Sequence, residues 1–390
     1  MVRKGLKIVA ELEEAGYEAA IAGGAVRDLL LCRPAVDIDI AVSATMEELS
    51  SVWPEAAVVG APPRCTLILK RSGLVFELAP FRGATLEEDL AKRDVTVNAM
   101  ALTASGEIVD PWGGKADMAA GVLRFTGDAA RARLREDPLR AVRFARLASQ
   151  FPWMHPHEES LTACGEFRIG VEMSAAERKA GELAKSLAGK PSLFLEILRS
   201  AELLEALYPG AAGDDGGAAA QKRMQYAEEL TGDPAARAAC MFVGNKGLNS
   251  AIGKALPVSL KKEIAALLRW FPAMLETISP DTIVAICTGL TEHSINRLFI
   301  LARVLAVAGE ADAAIVLENR ARIIRALTRL SSAGAMPTGR DIMRITGVSE
   351  GPEVGRILQT LTQRVVDGDI TDGPSALLRL RNISHKHGNI

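Results

Sequence analysis

The sequence has few aromatic residues, which make up 4% of its 390 positions. Aromatic side chains favour strands and alanine favours helices, so this shortage, together with abundant alanine, argues against an all-β fold. The five cysteines are scattered, odd in number and without a C-x-x-C pair, so the sequence suggests neither a disulfide framework nor a zinc site. No run of eighteen apolar residues occurs, and we therefore expect a cytoplasmic protein without a membrane-spanning helix.

The chain also has almost no net charge. Its 46 basic and 48 acidic residues give a formal charge of −2, so a nucleic-acid partner is neither indicated nor excluded, because local charge decides docking. Hydrophobic residues reach 48%, which is enough for a buried core and excludes wholesale disorder. A length of 390 residues predicts two to four domains.

Strand patterns occur only in roughly the first 110 residues. They predict strands at 17–22, 36–42, 56–59, 66–70, 74–79 and 107–110, a hairpin turn at 71–73, and helices at 1–15, 25–31 and 46–52. Apolar spacing of 3.6 residues predicts later helices at 135–150, 174–187, 192–206, 261–271, 294–308 and 311–330. A connector is predicted at 209–220 and another breakpoint at 331–337. The predicted fold class is α+β: a small mixed β-sheet head followed by all-α pieces.

Two carboxylates alternate with isoleucines in the second predicted strand. Strand geometry places Asp37 and Asp39 on one face and sends Ile38 and Ile40 to the core. Neighbouring buried acids require a cation, and Mg²⁺ with oxygen ligands would meet that need. Glu77, on the strand at 74–79, is a candidate third carboxylate, since two-metal sites use more than two acids. The alternative is an exposed strand face with solvated acids.

A glycine pair precedes these acids. Gly23 and Gly24 end a strand and begin a helix that carries Arg27 and Asp28 in its first turn. Backbone N–H groups of such a turn can hold an anion, although a plain tight turn is the commoner role of two glycines. No G-x-x-x-x-G-K-[ST] or G-x-G-x-x-G motif occurs, which disfavours P-loop and dinucleotide-binding folds. An anion cradle beside a metal-binding pair is the arrangement that phosphoryl transfer requires.

Four segments in order are similar to one family. They are Gly23-Gly24-Ala25-Val26-Arg27-Asp28 with Asp37-Ile38-Asp39, the run from Asp89 to Ala99, Asp110-Pro111-Trp112-Gly113-Gly114, and Glu136-Asp137-Pro138-Leu139-Arg140. Together they closely resemble the tRNA nucleotidyltransferase/poly(A) polymerase family of the bacterial class II kind. The resemblance implies a catalytic nucleotidyltransferase head at 1–124, a neck for nucleotide base recognition at 125–208, a body at 209–330 and a tRNA-binding tail at 331–390.

The resemblance also implies roles for particular residues. Asp37 and Asp39 would hold Mg²⁺, in a two-metal site, and with Glu77 they would be the catalytic acids. The residues implied to bind the nucleotide are Gly23, Gly24, Arg27, Arg93, Asp94, Asn98, Asp137, Arg140, Arg143 and Arg146.

Asp137 and Arg140 have a chemistry of their own. A carboxylate accepts from an exocyclic amino group and a guanidinium donates to a ring nitrogen, a pattern that matches cytosine and adenine and rejects uracil and guanine. Their spacing of three residues puts both on one helix face. The competing interpretation is structural, with Asp137 as the cap of a helix that begins at Pro138.

A short connector bears on which nucleotides are added. Only residues 83–88 separate Arg82 from Asp89, whereas similar enzymes that build the whole CCA end carry a longer flexible loop there. We therefore expect addition of two C residues from CTP to a tRNA lacking its complete 3′ CCA, with a separate A-adding enzyme completing the end. Alternatives are full CCA addition with CTP and ATP, A-adding or polyadenylating activity, a catalytically dead RNA-binding protein, and a nucleotidyltransferase acting on a small molecule or protein.

Overall fold

The structure, a computed structural model, describes residues 1–35, 37–60, 65–127, 130–244 and 247–387, with the side chains of 247 and 381–387 left out. The chain divides into two compact units, Met1–Gly216 and Gly217–Ile390. This boundary falls inside the connector predicted at 209–220. The finer division into head, neck, body and tail stays a prediction.

The first unit contains nine strands within the described residues. They are β1 (Ala19–Ala22), β2 (Ile38–Val42), β3 (Ala57–Val59), β4 (Thr66–Arg71), β5 (Leu74–Pro80), β6 (Ala101–Leu102), β7 (Ile108–Val109), β8 (Val122–Leu123) and β9 (His155–Pro156). Seven of them form one mixed sheet in the order β3-β4-β5-β2-β1-β6-β7, and β8 pairs with β9. The prediction that strands end near residue 110 was therefore wrong, because β8 and β9 are too short to show alternation.

The order of the sheet brings distant segments together. β2 and β5 are parallel neighbours, whereas β4 and β5 form an antiparallel hairpin. That hairpin turns at Ser72 and Gly73, which both have positive φ, as a two-residue type I′ turn requires. The predicted hairpin is confirmed. Val36, the predicted start of the second strand, lies outside the described residues.

One face of the sheet is buried against helix α1 (Val2–Glu14). Ile38 and Ile40 of β2 are both at most 1% exposed and pack with Leu67, Phe76 and other core residues. At roughly 25 cal/mol for each Å² of apolar surface buried, this core is the main source of stability of the sheet. The predicted inward direction of both isoleucines is confirmed, and the sheet thereby fixes the opposite direction of the residues that alternate with them.

Eleven further helices complete the described part of the first unit. They are α2 (Gly24–Leu30), α3 (Met46–Val52), α4 (Leu86–Ala91), α5 (Gly114–Ala120), α6 (Ala130–Glu136), α7 (Arg140–Gln150), α8 (Glu158–Glu166), α9 (Arg168–Met173), α10 (Ala176–Ser186), α11 (Pro191–Ser200) and α12 (Leu204–Leu207). The helices predicted at 135–150 and 192–206 are each broken. Pro138 disfavours helical backbone at the residue before it, so α6 ends at Glu136 and α7 begins at Arg140.

The second unit is helical throughout its described residues. Its helices are α13 (Ala218–Leu230), α14 (Pro234–Phe242), α15 (Ala251–Ala255), α16 (Val258–Trp270), α17 (Pro280–Gly289), α18 (Glu292–Ala308), α19 (Ala313–Ser332), α20 (Gly339–Thr346), α21 (Pro352–Asp367) and α22 (Gly373–His387). Residues from 330 to 380 share a hydrophobic cluster of their own around Ile342 and Val365. The α+β prediction is confirmed. Among the described residues, no helix has the length and apolar composition needed to cross a bilayer.

Candidate active site

Three carboxylates lie on the solvent-facing side of the sheet, and we call them the sheet wall: Asp37, Asp39 and Glu77. Asp39 of β2 stands directly opposite Glu77 of β5 in the parallel ladder, so both side chains leave the same face. Asp37 immediately precedes β2 and is exposed. The acid pair was predicted inside a strand, whereas β2 begins only at Ile38.

Nearby cations only partly offset the cost of ionising the acids of the sheet wall. Burial raises the pKa of Asp39, and Asp37 raises it further, against the opposing effects of Arg93 and Arg82. Burial likewise raises the pKa of Glu77, with Asp39 and Asp37 adding to the rise and Lys185 opposing it. Within the described residues none of the three acids forms an ion pair. Nor does any group of three His, Cys, Asp or Glu side chains there form a complete metal site.

Gly23 joins the sheet wall to the neighbouring arginine. Its φ of 86° is a conformation that L side chains rarely adopt. A Cβ atom there would lie 2.6 Å from Nη1 of Arg93 and 3.5 Å from Oδ2 of Asp39. Gly24 then opens α2. Gly23 therefore leaves the space that the Arg93 guanidinium occupies beside Asp39, and a side chain at this position would require that guanidinium to shift.

Arg27 of α2 is buried and fully engaged. It donates from Nε and Nη2 to Asp28 Oδ1, at 3.0 and 2.8 Å, and from Nη1 to Asn98 Oδ1 at 2.5 Å. Its guanidinium also lies 4.4 Å from the ring centroid of Phe151. These contacts hold Arg27 beside the turn formed by Gly23 and Gly24. Arg27 is not among the residues that line the cavity described below.

Asn98 links Arg27 to Asp94. Its amide Nδ2 donates to Asp94 Oδ1 at 3.2 Å, and Asn98 is the last residue of a short 3₁₀ helix, Thr96–Asn98. Burial works to raise the pKa of Asp94, yet Arg143, the Asn98 amide and the Val95 N–H hold it below the ordinary value.

Asp89 is a buried acid that the motif analysis did not select. Its Oδ2 accepts from Nε and Nη2 of Arg93 at 3.2 and 3.1 Å, and its Oδ1 accepts from the backbone N–H of Arg82 at 3.1 Å. Asp89 and Arg93 are four residues apart across the end of α4, and this i,i+4 spacing of opposite charges is the signal that could have identified the pair.

Helices α7 and α10 form the opposite side of the cavity, which we call the helical wall: Arg140, Arg143, Arg146, Glu182 and Lys185. Arg143 Nε and Arg146 Nε donate to the two oxygens of Glu182 at 3.3 and 2.5 Å, and Arg143 Nη1 lies 3.5 Å from Asp94 Oδ2. Arg140 donates to Glu136 Oε2 and to the carbonyl of Lys92, both at 3.0 Å. Every arginine of this wall is therefore held by an oxygen.

Sequence reasoning missed the contribution of α10. Arg178, Glu182 and Lys185 recur at spacings of four and three residues, which places them on one helix face. Glu182 and Lys185 line the cavity, and Arg178 donates from Nη2 to Asp137 Oδ2 at 2.5 Å. The signal was present in the sequence, but a charged helix face is usually a solvated one.

Asp137 and Arg140 have separate partners. Oδ1 of Asp137 accepts from the Leu139 N–H at 3.3 Å while its Oδ2 faces Arg178, and the helix that follows is capped by Leu139. Burial works to raise the pKa of Asp137, but the Arg178 hydrogen bond and charge lead the effects that hold it below the ordinary value. Asp137 is therefore not the cap of α7, and Arg140 lines the cavity whereas Asp137 does not.

The two walls enclose a polar cavity of about 260 Å³. Its lining residues are Gly23, Gly24, Asp39, Arg82, Arg93, Asp94, Asn98, Arg140, Arg143, Arg146, Glu182 and Lys185. Eight of the ten residues predicted to bind nucleotide, and one of the predicted catalytic acids, are therefore brought together. Six cations against three acids make this lining suitable for a polyanion such as a triphosphate.

Comparison with known proteins points in the same direction. The sequence model of the poly(A) polymerase head domain matches residues 19–124. The CC-adding tRNA nucleotidyltransferase of Shouchella clausii is 33% identical over 269 residues, covering 69% of this chain and 70% of that protein. The enzyme of the same name from Halalkalibacterium halodurans is 43% identical over 150 residues, covering 38% of this chain and 39% of that protein.

A solved structure shares the whole fold. The CCA-adding enzyme of Bacillus stearothermophilus in complex with CTP matches with a TM-score of 0.73 and 26% identity, over 99% of this chain and 98% of that one. The similarity therefore extends over both compact units, well beyond the residues that carry the sequence motifs.

Proposed function

Because the chain belongs to the tRNA nucleotidyltransferase/poly(A) polymerase family, we propose that it transfers nucleotides from CTP to the 3′ end of tRNA, without a nucleic-acid template and with release of pyrophosphate. Support comes above all from the parallel pairing of Asp39 with Glu77 at the edge of an arginine-lined cavity. Such a cavity offers the two things that phosphoryl transfer requires, positioning and neutralisation of charge. A tRNA substrate further leads us to expect the protein in the cytoplasm.

The reaction as proposed depends on Mg²⁺ at Asp37 and Asp39, in a two-metal site. Carboxylate oxygens are the ligands that Mg²⁺ prefers. Burial, and to a lesser degree the neighbouring Asp37, raises the pKa of Asp39, and a bound cation would favour its ionised form. The residues present therefore fit the ion, and water and nucleotide phosphates would complete its oxygen ligands. When bound, the metal would neutralise charge on the reacting phosphates. Glu77 would add to the negative charge that holds it.

The remaining residues are proposed to contact different parts of the nucleotide. Arg93 and Asp94, beside the glycine turn, are proposed for the phosphates and ribose of the incoming nucleotide, while Arg143 and Arg146 add positive charge. Gly24, Arg27 and Asn98 would shape the turn on which the phosphates rest.

Base recognition is proposed for Asp137 and Arg140. Their hydrogen-bonding pattern suits cytosine, with the carboxylate accepting from N4 and the guanidinium donating to N3. Asp137 is paired with Arg178, so binding of cytosine would require that carboxylate to share or exchange its partner. The pair thus keeps the acid ionised until a base arrives.

The short connector supports addition of two C residues. Thr85 Oγ1 accepts from the Glu88 N–H at 3.3 Å, and Glu88 Oε2 accepts from the Ala84 N–H at 2.9 Å. A closely hydrogen-bonded connector leaves little freedom for a change from CTP to ATP specificity. A separate A-adding enzyme would then complete the end. Full CCA addition is the second candidate, because a solved structure that matches over 99% of this chain is that of a CCA-adding enzyme.

The test uses purified protein, Mg²⁺ and a tRNA that lacks its 3′ CCA. CTP, ATP or both are supplied, and product length is measured on a sequencing gel, with a tRNA already ending in CC as the control. We expect two additions with CTP and none beyond them when ATP is added. A third nucleotide would refute CC specificity, and no extension under any condition would refute the proposed activity.

A further inference from the structure

Lys185 differs from every other cation in the cavity lining. The five lining arginines all have an acidic partner: Arg82 and Arg93 at Asp89, Arg140 at Glu136, Arg143 at Asp94 and Glu182, and Arg146 at Glu182. Within the described residues that line the cavity, Lys185 alone among the cations has no ion pair or hydrogen bond from its side chain.

The position of Lys185 is set by its helix. It follows Glu182 by three residues in α10, so both side chains face the cavity from one side of the helix. Glu182 binds the two arginines of α7, which secures α10 against α7 at this level. The ammonium of Lys185 is close enough to Glu77 to oppose the rise in the pKa of that carboxyl. Lys185 therefore faces the sheet wall across the cavity.

We propose that the Lys185 ammonium binds the terminal phosphates of the incoming triphosphate and stabilises the charge that accumulates on the departing pyrophosphate. The inference rests on the proposed function and assigns a further residue to its site. The paired arginines are partly neutralised before the substrate arrives, whereas Lys185 offers its full charge. A lysine on a flexible stem also acts as a point charge, which suits a group that must follow a leaving anion.

The proposed step balances without any change in Lys185 itself. The oxygen of the RNA 3′-hydroxyl forms a bond to the α-phosphorus and loses its proton to solvent. The bond from the α-phosphorus to the oxygen bridging to the β-phosphate breaks, and its electron pair leaves with pyrophosphate. Lys185 keeps its proton and contributes fixed positive charge where negative charge increases.

Two variants separate charge from shape, and one serves as a control. Lys185→Met removes the charge at similar length, Lys185→Arg keeps it, and Lys115→Met removes an exposed lysine from α5, outside the cavity lining. For each, single-turnover extension of a tRNA lacking CCA gives the KM for CTP and the maximal rate. Inhibition by pyrophosphate and by CMP is then measured in the same assay, after unfolding midpoints have shown that all variants fold.

Comparison of the inhibition constants for pyrophosphate and CMP distinguishes a loss of phosphate binding from a general loss of nucleotide binding. For Lys185→Met we expect the pyrophosphate inhibition constant to rise at least about tenfold, the loss of one charge-assisted contact, with CMP inhibition unchanged. Lys185→Arg and Lys115→Met should stay close to wild type. Unchanged pyrophosphate inhibition in Lys185→Met, or equal losses for pyrophosphate and CMP, would overturn the inference. Failure of the wild type to extend tRNA would instead contradict the proposed function.

Discussion

On the sheet wall, burial raises the pKa of Asp39 and Glu77 and the acids reinforce one another, whereas burial of Asp94 and Asp137 is outweighed by arginines that hold their pKa below the ordinary value. Both sets of acids lie in the first unit, but of these acids only Asp94 and Asp137 form ion pairs with arginines within its described residues. Acids that are left unpaired beside a polar cavity need a cation from elsewhere.

This difference separates the tasks of the two regions. The paired acids keep arginines in place, since a buried guanidinium without a partner would be costly. The unpaired acids store electrostatic repulsion that a bound cation would relieve. Neutral substitutions of the acids in the two sets should therefore differ in their effect on stability: replacing an unpaired acid should leave it unchanged or higher, and replacing a paired acid should lower it.

The largest effect is expected from Asp39→Asn. Removing this carboxylate should lower the rate of CMP incorporation at least about a hundredfold, because the charge proposed to hold the metal is lost. The free energy of unfolding should stay the same or increase, since an uncompensated buried charge has been removed. Single-turnover extension and chemical denaturation measure the two quantities, with the exposed Glu55→Gln as the matched control. A stable fold with wild-type activity would contradict the assignment.

Gly23→Ala should disturb the junction between the sheet wall and Arg93. We expect a loss of about 1–3 kcal/mol in the free energy of unfolding, because the added methyl group combines an unfavourable φ with a clash at 2.6 Å. Gly355→Ala in α21, where the new methyl group meets open space, should instead be neutral or stabilising. Equal effects of the two substitutions in denaturant unfolding would refute the close approach at Gly23.

Asp89→Asn tests whether a paired acid acts through its arginine. The neutral amide retains the shape of the side chain but forms weaker hydrogen bonds with Arg93 and with the Arg82 N–H. Because Arg93 would then be held less firmly in the cavity, the KM for CTP should rise about tenfold. The maximal rate should fall less, since Asp89 itself touches no reacting atom. A fall in maximal rate at constant KM would show that positioning of Arg93 is not its role.

The smallest effect concerns pH and Asp137. Its folded-state pKa lies below the ordinary aspartate value of about 3.9, so the ionised acid adds stability that is complete above this value and is lost as the pH falls through the folded-state pKa. Asp137→Asn should therefore be less stable than wild type at neutral pH, and the difference should vanish in strong acid. Denaturant unfolding across pH measures this, and a difference independent of pH would contradict the ion pair with Arg178.

Local patterns predicted most of the head but not how its parts meet. Alternation identified the strand of Asp39 and the strand of Glu77 separately, because side-chain period is a local property. The parallel pairing that puts them side by side depends on the strand order of the sheet, which no local pattern contains. Glycine and arginine motifs similarly identified Gly23 and Arg93 without revealing that one must be small to admit the other.

The helical side of the site was predicted less completely. Asp137 and Arg140 were expected on one helix face, but Pro138 interrupts the helix, and each residue takes partners from another segment. Those partners include Arg178 and Lys92, which lie 41 and 48 residues away in the sequence. Such pairings depend on tertiary packing, and helical periodicity alone marks only which face of α10 is charged.

The central claim is that the sheet wall is built to hold a divalent cation, and Mg²⁺-dependent stability tests it most directly. The thermal unfolding midpoints of wild type and Asp39→Asn are measured against increasing MgCl₂, with NaCl of matched ionic strength as the reference. A ligand that binds only the folded protein raises the midpoint, so the wild type should be stabilised and the variant should not respond. A wild-type unfolding midpoint that does not change with MgCl₂, or equal stabilisation of both proteins, would contradict the account.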